Sequence, residues 1–565
     1  MASHLPRLIP SLLEKVDCQE TSFSVDAVAR YICNTWEEAT TNPYFDVVVI
    51  GAGMFGAYFA NRLFRGSKTK RILLLEAGVF LLAEHFQHLP NIGLNVPDPM
   101  DPAGDTDQVR EIVWRMPWRG NTSFVGIPRC VGGKSLYWGG WCPRMMDDTL
   151  ASWPPAVTQY LKENYEKLET QLGVLQKTEF VQGALYDALL ARAREVQSKV
   201  PGITAIQEPP LAVLGHGPAS GLFTFNKYSS LPLLIDAVRH AIRAARGNDL
   251  RRRLFLVPKA QVVKLHTLNG AVRQIEVFVD GKQRFLDVTP KCDVVLALSA
   301  IESTRLALES FPTTPDPADE KMGRNLAVHM RSTTTVQIKR SVLEAPGKPL
   351  PTDLQAAAFL VRGQTGDGHF HLQLTAADDR AGDADRLLFR MIPDVDLLQN
   401  ILDAQDAEFV AITLRGCAET KGIKNQPIRN PALRWIDLSE SERDEFGYRR
   451  AYVNLAINST EARLWNAMDA ATVDFAHKLA LDDPTAIRLL SSSRDGLGTT
   501  YHESGTLWMG DDPATSVTDS DGKFHHVANA YCIDQALFPT AGSANPTLTG
   551  LTLTRKIAEH IASLK

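Results

Sequence analysis

A chain of 565 residues, 44% hydrophobic and 22% charged, has the composition of a globular protein with a substantial core, which excludes disorder as its main theme and any need for disulfide staples. Its 60 basic and 65 acidic residues leave a net charge of −5, near neutral for this size, and argue against a general nucleic-acid or anionic-membrane binder, both of which need clustered positive charge. Seven scattered cysteines without a C-x-x-C pair give no support to zinc ribbons or iron–sulfur clusters; no metal is expected, and a reducing, cytoplasmic setting is the simpler expectation. Residues 1–20 hold no apolar run of secretory-signal length, and no stretch elsewhere reads as a membrane span.

In chain order, residues 1–43 read as an N-terminal extension. Its stretch Ser24 to Trp36 has helical spacing, with Val25, Val28, Tyr31, Ile32 and Trp36 on one face. Phe45 to Ile50 is a β-branched run suited to a strand buried on both faces of a parallel sheet. A helix is expected over Ala57 to Phe64 and a second buried strand over Arg71 to Glu76. Residues 158–200 and Leu231 to Arg246 read as helices. Arg253 to Val257, Val262 to Leu265 and Val272 to Val279 read as strands, and Asp293 to Leu298 as a further buried strand. From about 331 to 455, alternation with period 2 dominates: Ser332 to Ile338, Ala356 to Val361, His369 to Leu374 and Phe409 to Leu414 predict an antiparallel sheet. Glu461 to Leu481 reads as one long helix. The pattern predicts a parallel α/β part, interrupted by an α+β part, to which the chain returns near its end.

The strand before Gly51 runs straight into Gly51-Ala-Gly53-Met-Phe-Gly56, and a helix follows. Gly51 permits the tight turn, Gly53 lets the backbone approach a pyrophosphate, and Gly56 allows close helix–strand packing; the helix N-terminus then faces the phosphates. Glu76 ends the second strand 20 residues after Gly56, where a carboxylate accepts hydrogen bonds from ribose hydroxyls. A lone G-x-G-x-x-G is a weak signal, but strand, helix, second strand and acid in register make nucleotide binding the expectation. Glu76-Ala77-Gly78 resembles the flavin version of this motif.

Near the C-terminus come Tyr501-His502-Glu-Ser-Gly505-Thr506-Leu-Trp-Met509-Gly510, then Asp534-Gln535-Ala-Leu-Phe538-Pro539-Thr540 and Asn545-Pro546-Thr547. With the N-terminal fingerprint, these segments resemble the glucose–methanol–choline oxidoreductase family. Ile127-Pro-Arg129-Cys-Val-Gly132-Gly133-Lys-Ser135 is similar to its second glycine segment. Met322-Gly323-Arg-Asn325-Leu-Ala-Val-His329 and Ala297-Leu-Ser299-Ala300-Ile-Glu-Ser303 resemble two further family stretches. Val131 to Trp138 with Pro143-Arg144, Phe223 to Ser230, and Asn545 in place of a second histidine, most resemble the pyranose oxidase branch.

The resemblance implies an α/β fold: a Rossmann-like FAD-binding domain of residues 44–156, 222–330 and 497–565, with an inserted α+β substrate domain of residues 157–221 and 331–496 built on an antiparallel sheet. It implies FAD contacts at Met54, Phe55, Ala77, Arg129, Gly132, Gly133, Ser135, Trp138, Gly139, Val262, Ala300, Asp534, Gln535, Pro546 and Thr547, beside Gly51, Gly53, Gly56 and Glu76. Three departures stand out. Gln535 replaces a usual glycine, Ser299 replaces another, and Tyr137 stands where pyranose oxidases carry the histidine bonded to the flavin. A noncovalent FAD is therefore expected.

The implied reaction is oxidation of a CH–OH group of a sugar, glycoside or polyol, with hydride passing to flavin N5 and electrons to oxygen or a quinone. His502 is assigned as the base and Asn545 as the group that holds the hydroxyl. Taken without the resemblance, a lone histidine such as His502 is more often structural. His525 and His526 read as structural. His369 and His371 share one face of a strand, where a plain sheet face is the blander reading. Trp114, Trp118, Trp138 and Trp141 fit either sugar stacking or packing around the flavin. A non-redox, lyase-type enzyme on the same fold is the alternative, because fold alone does not set chemistry.

Overall fold

The computed structural model describes residues 27–81, 114–115, 118–122, 127–175, 181, 183–214, 226–314, 319–344, 347–381, 404, 406–426 and 429–564. The expected helix contacts of Val25 and Val28, and most of the loop region around 85–125, lie outside the described side chains.

Two sheets organise the chain. The first is parallel, with spatial order Leu254–Val257, Ile72–Leu75, Val47–Ile50, Asp293–Leu296 and Ala530–Cys532. The described residues of its strands are almost all fully buried, which is why they read as continuous apolar runs. Helices Met54–Gly66, Leu231–Ala245 and Thr547–Ser563 cover it. Strand Val47–Ile50 lies between a strand formed just after it and one formed some 240 residues later, so a crevice opens beyond its C-terminal end.

The second sheet is antiparallel, with order Ile487–Arg494, His329–Lys339, Phe409–Glu419, Gly368–Asp378, Gln355–Thr365 and Ile203–Gln207. Its apolar face, including Met330, Phe370, Leu372, Leu374, Ile412 and Leu414, packs on helices Ala184–Val196 and Ser459–Leu479. Its other face is polar and turns toward the crevice of the first sheet. The chain is thus α/β, a Rossmann-like part joined to an α+β part on an antiparallel sheet. The stretch 157–221 divides between them: helix Pro155–Leu172 packs Val157, Leu161 and Leu168 on the parallel-sheet core, while Ala184–Val196 serves the second sheet.

The expected helix over Ser24 to Trp36 is instead two short ones, Ala27–Ile32 and Trp36–Thr40. Thr35 restarts the helix through a capping box: its Oγ1 accepts the Glu38 N–H at 3.1 Å, and Glu38 Oε2 accepts the Thr35 N–H at 3.2 Å. Just before it, the Asn34 N–H donates to Leu256 O at 2.6 Å and draws the chain onto the sheet edge. Tyr31 is consequently 68% exposed rather than on a buried face. The edge strands Ile203–Gln207 and Ile487–Arg494 carry no alternation strong enough to read from sequence; the latter is mostly exposed.

Candidate active site

One cavity of about 450 Å³ runs from the Gly51 turn to His502. At its first end Gly51 turns with φ +98°, and an added Cβ there would lie 2.6 Å from Ala297 O. A Cβ on Gly56 would lie 1.9 Å from Gly51 O, so glycine is what lets the helix close on the turn. A Cβ on Gly53 would meet nothing within 4 Å and would project into the cavity. From the other side the second glycine segment arrives: the Gly132 N–H donates to Ala52 O at 2.8 Å, and a Cβ on Gly133 would come within 2.9 Å of Gly53 Cα.

Glu76 is buried and lines this end. Its Oε2 accepts the Ala52 N–H at 2.8 Å and its Oε1 the Gly78 N–H at 2.9 Å. Burial raises its pKa, and these two N–H donors oppose that shift. Gln261 Oε1, Glu302 Oε1 and Gln535 Oε1 are buried, line the same cavity and meet no hydrogen-bond partner among the described residues. Buried acceptors without donors are costly. Together with the open space at Gly53 and the free N–H groups of the helix N-terminus, they fit a dinucleotide carrying hydroxyl and amino donors.

The other residues expected at the cofactor divide by position. Met54, Phe55, Ala77, Arg129, Gly133, Trp138, Gly139, Gln535, Pro546 and Thr547 line the cavity. Gly132, Ser135, Val262, Ala300 and Asp534 do not; each sits one layer behind, next to a residue that does. Gln261 lines it beside Val262, Ser299 beside Ala300, and Gln535 beside Asp534. Asp534 accepts from Ser303 Oγ at 2.6 Å and from the Ala536 N–H at 2.9 Å. It also accepts the backbone N–H of Ser299. That contact helps hold Ser299 at φ 64°, a left-handed conformation that glycine adopts without strain.

At the far end, tertiary register builds the chemistry. Ala327 and Ser504 form an antiparallel bridge with both backbone hydrogen bonds, at 3.0 and 2.9 Å. The same register two residues on sets His329 opposite His502, and their Nδ1 atoms are 2.8 Å apart. His329 Nε2 lies 2.8 Å from Gly542 O, a carbonyl that can only accept. His329 therefore carries its proton on Nε2 and accepts at Nδ1, so His502 must donate from Nδ1. The lone pair of His502 Nε2 is left facing the cavity.

Asn545 Nδ2 is 3.4 Å from His502 Nε2. Its orientation is set by Gln373, whose Nε2 donates to Asn545 Oδ1 at 3.1 Å and contacts His371 Nε2 at 3.1 Å. Burial holds His502 well below the ordinary imidazole pKa, and the neighbouring His329, Arg331, His371 and Lys134 act in the same direction. His329 is lowered to about 4, again by burial. A neutral imidazole with an open lone pair beside an amide donor can take a proton from a hydroxyl and hold the oxygen left behind.

Several of these residues carried no role in the sequence reading. His329 and Lys134 appeared there only within motifs, and Gln373, Arg331 and Arg415 not at all. The available signal was polar residues at alternate positions of strands otherwise buried: His329 and Arg331, His371 and Gln373, Arg415 and Cys417. His371 is fully buried within this network, whereas His369 pairs with Asp148. His329, Cys417 and His502 bring one potential metal-ligand atom each within 4.8 Å, yet the two imidazoles spend Nδ1 on one another. Trp138 and Trp141 line the cavity; Trp118 packs in a separate cluster with Ile301 and Leu326. His525 bonds Ser516 Oγ at 2.8 Å, away from the cavity.

Fold and site together define an α/β protein with a glycine turn at one end of a crevice and a histidine–amide pair at the other. Residues 420–554 match the model of the C-terminal domain of the GMC oxidoreductases. The 6'''-hydroxyparomomycin C oxidase of Streptomyces lividus is 42% identical over 66 residues, 11% of this chain and 12% of that protein. The paromamine 6'-oxidase of Streptomyces fradiae is 50% identical over 48 residues, 8% of this chain and 9% of that protein. The matches thus span about a tenth of those relatives' lengths. The crystal structure of pyridoxine 4-oxidase from Mesorbium loti superposes with a TM-score of 0.54 at 15% identity, covering 91% of this chain and 99% of that one, a likeness of fold. Among the described residues, no helix is long and apolar enough to cross a membrane.

Proposed function

We propose that this chain is an FAD-dependent oxidoreductase of CH–OH groups in a sugar, glycoside or polyol, with His502 as base. The observation that carries this reading is the unprotonated His502 Nε2 beside Asn545, in the same cavity as the glycine cradle at Gly51 to Gly56. The oxidase activities for which the two Streptomyces relatives are named and the GMC oxidoreductase match of residues 420–554 support it.

Gly53, Glu76, Gln261 and Gln535 would hold the adenine dinucleotide, and the bound isoalloxazine would supply the hydride acceptor. His502 Nε2 accepts the hydroxyl proton, while Asn545 Nδ2 donates to the same oxygen and fixes the carbon's orientation. The imidazolium so formed is stabilised through its Nδ1–H, which His329 accepts. Trp138 and Trp141 present apolar faces suited to a sugar ring. FAD is held noncovalently in this reading, electrons pass to oxygen or a quinone, and the pyranose oxidase branch is the model for the site. Among the described residues, six buried cysteines lie outside any disulfide, which fits a cytoplasmic setting.

The test is anaerobic. A panel of sugars, glycosides and polyols is mixed with holoenzyme while the flavin absorbance is followed. Bleaching by at least one of them, with a carbonyl product, is the expected result. Conversion of a substrate without bleaching would establish the lyase-type alternative instead.

A further inference from the structure

We infer that Glu302 and Gln261 form an adenine-reading subsite, whose oxygens accept the exocyclic amino group of the cofactor's base and select it against a carbonyl at that position. This deepens the proposed function and rests on its FAD reading. Both side chains are buried and line the cavity, and the Oε1 of each meets no hydrogen-bond partner among the described residues. Two separate ties bring them to the Glu76 end. Gln261 follows Ala260, whose N–H donates to Glu76 O at 2.7 Å. Helix Ser299–Ser310 lies along strand Ala260–Leu268, and Ser310 Oγ accepts the Leu265 N–H at 3.0 Å. From that bond, eight residues back along the helix to Glu302 is about 12 Å, and four back along the strand to Gln261 is about 13 Å. The second tie runs through charge. Glu302 Oε2 accepts the Arg305 Nε–H at 3.0 Å, Arg305 also faces Asp444 at 3.5 Å, and the adjacent Glu445 pairs with Arg129 at 3.1 Å. Arg129 lines the cavity, and a Cβ on Gly78 would lie 1.7 Å from its carbonyl oxygen. Gly78 in turn gives its N–H to Glu76.

Glu302 spends one oxygen on Arg305, and the other, in an ion-paired carboxylate, can only accept. A pyrophosphate would be repelled there, and the helix N-terminus after Gly53 already serves it. The ribose hydroxyls fall to Glu76 in the same reading. At this end of the dinucleotide, the remaining group with hydrogens to give is the amino group of adenine. It carries two, one for Glu302 Oε1 and one for Gln261 Oε1. The Gln261 amide can also give an N–H to a neighbouring ring nitrogen, the pairing by which amides read adenine. A purine with a carbonyl in place of the amino group would set oxygen against oxygen and leave both buried acceptors unpaired.

The experiment uses the full chain freed of flavin, with the change in flavin fluorescence as the binding signal. FAD, flavin hypoxanthine dinucleotide and FMN are titrated into wild type, Gln261→Leu and Glu302→Gln. FAD should bind wild type at least about tenfold more tightly than the hypoxanthine analogue. That ratio should shrink in Gln261→Leu and fall furthest in Glu302→Gln, whose amide can turn an N–H to the carbonyl. FMN lacks the base and should bind all three proteins alike. Should Glu302→Gln unfold through its weakened Arg305 pair, Gln261→Leu still decides. Equal affinity of wild type for the two dinucleotides, an unchanged ratio in the variants, or a loss of FMN binding as large as the loss of FAD binding would overturn the inference. NAD and nicotinamide hypoxanthine dinucleotide separate it from the reading on which it rests. A chain that binds no flavin yet prefers NAD to its hypoxanthine analogue keeps the adenine subsite and loses the FAD assignment; one that binds neither flavin nor NAD loses both.

Discussion

His329 and His502 meet through their Nδ1 atoms at 2.8 Å, and the Gly542 carbonyl on the far side of His329 decides which of them holds the proton. One backbone oxygen thereby sets the tautomer of the imidazole that faces the substrate. His329→Leu removes the acceptor and should lower kcat by about 10–100-fold, part of the ~10²–10⁴ that a general base supplies. His329→Gln retains an amide oxygen to accept and an N–H to donate, and should recover much of the rate. Equal losses in both variants, with an unchanged pH profile, would reduce His329 to packing.

His502→Ala should retain flavin and lose ~10²–10⁴ of its turnover. The pH profile offers a second check on the wild type. The base works when neutral, and its pKa lies well below 6.5 because burial disfavours the charged ring. Lowering the pKa extends the neutral form to lower pH. kcat/KM for an uncharged substrate should therefore stay level as pH falls from neutrality to 6.5 and decline only below it. An acid limb centred above 6.5 would contradict the assignment.

Glu76 serves two ends at once: it faces the cavity and its oxygens hold the Ala52 and Gly78 N–H groups. Glu76→Ala should weaken flavin retention on dilution and cost about 1–3 kcal/mol of stability by leaving buried donors unpaired. Hydride-transfer rate in molecules still loaded should not change. Single-turnover kinetics on the loaded fraction, beside thermal melts, separates these effects; normal retention with slow chemistry would move Glu76 out of the ribose role.

Flavin should be released when the protein is precipitated with acid. Tyr137 lines the cavity, but burial pushes its phenol well above 10, and burial likewise raises the thiols of Cys130 and Cys417, the two cysteines among the described wall residues. None of the three is an ionised nucleophile at neutral pH. Yellow colour that stays in the pellet, with a flavin-sized mass increment on the denatured chain, would show a covalent link.

The amino-acid sequence by itself determined four of the five parallel strands, the glycine turn between Gly51 and Gly56, and Glu76 at the end of its strand, whereas His502 and Asn545 were singled out only through the family resemblance. These signals are contiguous: a buried strand reads as an apolar run, and a glycine turn must be written in adjacent residues. Only the tertiary structure decided which member of each neighbouring pair faces the cavity, as with Gln261 beside Val262 and Gln535 beside Asp534. In strands and tight turns adjacent side chains point apart, and which side is inside depends on what packs there. The tautomer of His502 was likewise beyond local reading. It depends on the Ala327–Ser504 register and on Gly542, brought together from positions more than 170 residues apart in sequence. The placing of Arg331 and Arg415 as diagonal neighbours follows the same rule, since cross-strand register exists only once the strands have met.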